Sequence, residues 1–203
     1  MSRKAVAVGF LTLSLAGFIG IQSHEGMVHK VYLDPVGIPT ACAGHTATVT
    51  KKDVGKVMSD AVCQRLLAKD VSVAESYVQK YVKAPLTQGQ YDALVSFTFN
   101  VGGTNFSKST LLKLHNAGNC FGAAAQFSRW VYSGSATLPG LVVRRKDERA
   151  LYEADCELKT TAPLVSPDQQ GHLQRGVAYS TDYGSIPTAR VPWVLRRKEQ
   201  WEV

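Results

Sequence analysis

The chain has 203 residues, enough for one domain with a real core and appendages around it. With 45% apolar and 19% charged residues it has ordinary globular composition, and its net charge of +7 asks for an anionic partner. It contains no aromatic-basic nucleic-acid motif and no zinc-type ligand spacing, so neither a nucleic-acid partner nor a metal is expected.

Arg3 and Lys4 precede an uncharged apolar run from Ala5 to Ile21. A cationic start followed by such a run reads as a segment for export or anchoring, at the short end of what spans a bilayer. No convincing small-x-small cleavage site separates the run from Glu25, and Gly9, Gly17 and Gly20 make it a weak anchor. A cleaved signal and a buried core helix are the competing readings.

The next stretch, Glu25 to His45, carries the chemistry. Ser23–Val31 is expected as a short helix bearing Glu25, with Met27, Val28 and Val31 toward a core and with His24 and His29 exposed. Glu25 follows apolar sequence, and burial against apolar surface disfavours a charged carboxylate, as a general acid requires. Asp34 stands in Tyr-Leu-Asp-Pro-Val-Gly, a bend where water can keep it ionised. Thr40 offers a hydroxyl to hold a water near Asp34. Two carboxylates in unlike settings beside a cleft suit hydrolysis of a glycosidic bond. Glu and Asp are common on solvated surfaces, so the spacing alone leaves that bland alternative open.

Residues 32–50, rich in Thr, Val, Gly and Pro, predict a small antiparallel sheet. His45 is read first as a structural histidine bonded behind that sheet and second as a further acid-base group. Ser59 can cap a long helix through Val62, Leu66, Leu67 and Val71 that continues past Val78. Thr87 and Gln90 form a capping-box pattern ahead of a helix with Tyr91, Leu94, Val95, Phe97, Phe99 and Val101, apolar on more than one face and so expected at the centre of a helical lobe. Gly102-Gly103 stops it. Further helices are expected from Ser107 to Asn116, over residues 120–132, and from Pro139 onward. The last carries Arg144, Arg145 and Arg149, a basic cluster that reads either as a solvated face or as a steering surface for an anionic polymer. Residues 159–203, with Pro163, Pro167 and a Ser/Thr/Tyr-rich stretch, read as a mobile extension.

Glu25, Asp34, Thr40 and Gly44-His45 in this order resemble the catalytic signature of the phage-type lysozymes, the endolysin muramidases of tailed phages. LTQGQYDALVSFTFNVG at 86–102 and RWVYSGSATLPGLVVRRKDERALY at 129–152 resemble later helices of the same family in the same order. The uncleaved apolar run resembles the signal-anchor-release subtype. The resemblance implies an α+β, lysozyme-like fold, with a small antiparallel β-lobe and a larger helical lobe joined by a long helix, and an N-terminal signal-anchor helix. The corresponding divisions are an anchor over 1–22, a catalytic domain over 23–158 and an extension over 159–203.

The resemblance further implies a monomer, needing no cofactor, that cuts peptidoglycan between N-acetylmuramic acid and N-acetylglucosamine. Glu25 would be the general acid, with Asp34 and Thr40 holding the attacking water. His45, Phe99, Asn100, Ser109 and Thr110 would lie near the saccharide. The protein would sit in the host inner membrane through residues 5–21 while inactive, then act in the periplasm after release. A lytic transglycosylase would need the acid but no water-holding Asp34. A tethered wall-binding protein would need neither. The four cysteines, Cys42, Cys63, Cys120 and Cys156, allow three pairings, and an exported domain meets an oxidising compartment. Family-like topology favours Cys42 with Cys63 and Cys120 with Cys156.

Overall fold

The protein is seen in a computed structural model that describes residues 4–34 and 36–156. The expected extension, 159–203, lies outside the described residues.

The apolar N-terminal run does not form the single helix expected of an anchor. Val6 bridges Leu86 through two backbone hydrogen bonds, Val8–Phe10 makes one 3-10 turn, and only Leu15–His24, α1, is α-helical. Ser14 starts α1 because its hydroxyl accepts from the Gly17 amide, satisfying one otherwise orphaned donor. No helix among the described residues is long and apolar enough to cross a membrane.

The helix expected over Ser23–Val31 is also corrected. α1 ends at His24, Glu25 is its C-cap, and Val28–Leu33 is the strand β1. Gly26 weakens helix continuation, and the following Val28, Val31 and Tyr32 prefer a pleated surface. β1 pairs antiparallel with β2, Pro39–Cys42, with Tyr32 opposite Thr40. The sheet is smaller than 32–50: beyond β2 the chain turns tightly, Ala41 and His45 exchanging two backbone hydrogen bonds.

α2, Asp60–Tyr81, is the long connection from this small lobe to the helical one, capped by Ser59 as its sequence indicated. α3, Gln88–Val101, carries the full capping box: Thr87 Oγ1 accepts from the Gln90 amide, and Gln90 Oε1 from the Thr87 amide. α3 is buried on nearly every face and packs between α2 and the last helix. Gly102, at φ +86°, turns the chain out of α3.

Past that turn the helices are shorter than expected. α4, Gly103–Lys108, and α5, Thr110–Asn116, are separated at Ser109, and α6 covers only Cys120–Gln126. A two-residue hairpin, β3 (Tyr132–Ser133) with β4 (Ala136–Thr137), precedes α7, Pro139–Glu153. The main core combines α2, α3, α5, α6 and Tyr152 of α7; a second, small cluster of Val31, Ala41, Cys42 and Cys63 fills the β-lobe.

Two disulfides tie these parts. Cys42–Cys63 joins β2 to α2, with Cα atoms 5.1 Å apart, and Cys120–Cys156 joins the start of α6 to the residues after α7. Closing a loop of 21 residues removes denatured-state entropy worth about 3 kcal/mol in the chain-entropy account. Cys63→Ser is therefore expected to cost about 3 kcal/mol in a urea titration, most of it absent when both forms are compared under reducing conditions.

Candidate active site

Glu25 sits where α1 gives way to β1, and its backbone amide donates to the Gln22 carbonyl. Its carboxylate, largely covered, accepts from Arg144 Nη1 of α7 at 2.8 Å. Arg144 is itself buried, 3% exposed, and also donates from Nε to Glu148 Oε1 at 3.0 Å and from Nη2 to the Ser96 carbonyl at 3.1 Å. Burial alone would lower the Arg144 pKa, but the carboxylates of Glu25 and Glu148 outweigh it and raise it. A guanidinium fixed on three sides holds the Glu25 carboxyl in one orientation.

Next to it, Arg145 is 1% exposed and donates from Nη2 to Asn100 Oδ1 and to Glu148 Oε1, both at 3.0 Å. Burial presses its pKa down to about 10, which still leaves it charged at neutral pH. Arg144 lies 6.0 Å from the Phe99 ring centre and Arg145 4.9 Å from that of Phe97. Glu25, Phe99 and Asn100 are thus joined through two arginines. Of the two readings of the basic cluster, neither describes Arg144 and Arg145, which are interior. Arg149 pairs with Glu153 near the surface. The signal available was the placement of Glu148 three and four residues after the arginines, ion-pair spacing on one helix face; it cannot reveal burial.

Across β1, Asp34 organises its own turn. Its Oδ1 accepts from the Val36 and Ile38 amides at 3.0 and 2.8 Å, an arrangement typical of Asx turns. Thr40 on β2 is buried and donates to the Ile38 carbonyl at 3.0 Å. Asp34 and Thr40 therefore share Ile38 as a common anchor, while Glu25 and Asp34 flank the two ends of β1.

The other candidate residues divide. His45 is 1% exposed; Nδ1 faces both oxygens of Asp70 on α2, and Nε2 accepts from the Thr48 amide. That is the structural placement, a tie between the turn after β2 and the long helix. Ser109 is buried as the N-cap of α5, accepting from the Leu112 amide, whereas Thr110 is exposed. Phe99 is buried under Arg144.

His29 is exposed as expected, but His24 is half-buried, with Nε2 3.5 Å from Asp147 Oδ2. Burial, followed by the nearby Arg144 charge, lowers the His24 pKa from 6.5. The unfolded chain therefore takes up this proton more readily than the folded one. Stability contributed by neutral His24 is complete above pH about 6.5 and declines as pH falls toward the folded value. Denaturant titrations between pH 7 and 5 should show this slope, and His24→Gln should flatten it.

The phage lysozyme family profile matches residues 22–148, a span that holds Glu25, the β-lobe and the Arg144 cluster. The chain belongs to the phage lysozyme family. Family membership makes it a lysozyme-type glycosidase whose polymer is peptidoglycan. A SAR-endolysin of Bacteriophage PS119 is 38% identical over 151 residues, covering 73% of this chain and 87% of the relative. The muramidase domain of SpmX from Asticaccaulis excentricus superposes with a TM-score of 0.64 at 32% identity, over 70% of this chain and 97% of that one. A phage P22 lysozyme variant gives 0.63 at 34% identity, over 70% and 99%. The lysozyme fold with its small sheets and helical lobe is thereby established; the N-terminal run is the part that departs from expectation.

Proposed function

We propose that the chain is an endolysin that hydrolyses the β-1,4 bond between N-acetylmuramic acid and N-acetylglucosamine and so lyses the bacterial host. The observation that carries this reading is Glu25 held by Arg144 at one end of β1 with Asp34 at the other. Glu25 is the general acid that protonates the leaving oxygen. Asp34 has Oδ1 tied into its turn, so Oδ2 is the oxygen assigned to the water. Thr40 spends its proton on Ile38 and can accept from that same water. Carboxyls at opposite ends of a strand suit a single displacement with inversion, which needs room for a water between acid and base.

Residues 5–21 are assigned as a signal anchor that holds the protein in the host inner membrane until it is released into the periplasm. The name SAR-endolysin among the relatives and the uncharged run support this. The docked arrangement then corresponds to the released form. While the run is in lipid, α1 cannot pack on α3, and Glu25 is separated from Arg144. Gly9→Leu with Gly20→Leu adds apolar surface where an added Cβ meets nothing within 4 Å. This variant should stay in the membrane fraction and fail to lyse; lysis from a permanently inserted form would refute the assignment.

Mass spectrometry of purified peptidoglycan after digestion decides the chemistry. Reducing-end muramic acid is expected. Anhydro-muramic ends would instead establish a transglycosylase, and no cleavage by folded, oxidised protein would favour a wall-binding role.

A further inference from the structure

The apolar N-terminal run packs on the domain in an unusual way. Its buried side chains are few, Leu11 and Ile21, while Phe10, Leu15 and Ile19 remain exposed, Phe10 by 86%. Apolar burial therefore supplies only part of the grip. The rest is polar: Val6 pairs with the Leu86 backbone, and from residue 13 onward the acceptors are side-chain carboxylates. Leu13 N–H donates to Glu75 Oε1 of α2 at 2.7 Å, and Ser14 N–H to Asp92 Oδ1 of α3 at 3.0 Å. The Ser14 hydroxyl donates to the other Asp92 oxygen. Gln88 Nε2 bridges the Thr12 carbonyl and Asp92 Oδ1 at 2.9 and 2.8 Å.

These contacts fall at the start of α1. Ser14 is its N-cap, so the Asp92 charge lies at the positive end of the helix dipole. The approach is close: a Cβ on Gly17 would stand 2.8 Å from Asp92 Cγ and 2.7 Å from Leu13 Cδ1, distances that side chains do not adopt. Glu75 is steadied from behind by the Tyr91 hydroxyl, which donates to it at 3.0 Å and whose pKa burial and the Glu75 charge push well up. Asp92 is buried on a helix that is itself largely buried, a costly position for a carboxylate unless it is bonded. Its partners are supplied by residue 14 and by Gln88.

We propose that Glu75 and Asp92 are positioning residues: together they form a receiver for the backbone at residues 13 and 14, and by fixing the start of α1 they place Glu25 at its other end against Arg144. This rests on the assignment of Glu25 as the acid. The receiver is what the apolar run finds on leaving a bilayer, and its two carboxylates set how completely the run stays docked.

The test uses the full-length oxidised protein with Glu75→Gln, Asp92→Asn and the double change, which keep size and remove charge. Hydrogen exchange of the Leu13 and Ser14 amides should accelerate about tenfold or more for each charge-assisted bond weakened, with amides at the centre of α3 unchanged. In the double variant kcat on peptidoglycan should fall severalfold with KM held. Gly17→Val, which attacks the same contact from the α1 side and leaves α2 and α3 intact, should reproduce both effects. Unchanged exchange at residues 13 and 14 would overturn the receiver. Faster exchange there with full kcat would overturn its role in placing Glu25. Glu25→Gln, assayed alongside, separates the readings: if that variant keeps activity, the acid assignment fails whatever the exchange data show.

Discussion

Glu25→Gln should lower kcat on purified peptidoglycan by about 10²–10⁴-fold, the range for removing a general acid, with the melting transition lowered less than by Glu148→Leu because the Arg144 hydrogen bond can persist. The amide keeps the size of the carboxyl and retains an oxygen to accept from Arg144 Nη1, now at 2.8 Å from the carboxylate. It has no proton to give at the leaving oxygen. Substrate contacts made by other residues persist, so KM should move little. Release of reducing ends by the folded variant at the native rate would remove Glu25 from its role, and with it the reading of the Arg144 pair as a support for catalysis.

The largest loss of stability is expected from Glu148→Leu. Glu148 Oε1 accepts from the Ser96 hydroxyl at 2.7 Å and from Arg144 Nε and Arg145 Nη2 at 3.0 Å each. Its other oxygen lies 2.9 Å from Arg145 Nε. Leucine fills similar space but leaves two interior guanidinium groups short of their shared counter-charge. Breaking a buried pair in this one-sided way costs about 3–5 kcal/mol, a shift on the order of ten degrees in melting temperature for a domain of this size. The half-exposed Arg149–Glu153 pair provides the control, since pairs near the surface are worth roughly 0–1 kcal/mol. Calorimetry that ranked Glu153→Ala as equal to Glu148→Leu would show that water reaches the Arg144 cluster.

What the sequence revealed is local chemistry. Ser59 as a cap, Thr87 with Gln90 as a capping box, and the many-sided apolar pattern of α3 are written in neighbouring residues, and each is realised. The pairing of the cysteines came through family likeness, since spacing leaves three connectivities open. Long-range effects were hidden. Arg144 meets Glu25 across 119 positions, and nothing near either residue signals it. An arginine doublet beside Lys146 and Asp147 has the appearance of a solvated face until α3 and α1 close over it. The division of the N-terminal run had the same origin: its acceptors, Glu75 and Asp92, lie on helices far along the chain. The early end of α1 was more legible, because Gly26 and the β-branched residues after it weigh against helix.

The bond between Cys120 and Cys156 has a mechanical consequence. Residues 157–203 continue from a cysteine already fastened to the first turn of α6. A pull on that extension enters the body at a covalent junction and is shared between two helices. Peeling α7 from its last turn is therefore opposed by the link to α6. Tension applied beyond Cys156 is thus borne by a covalent cross-link as well as by the packing of α7.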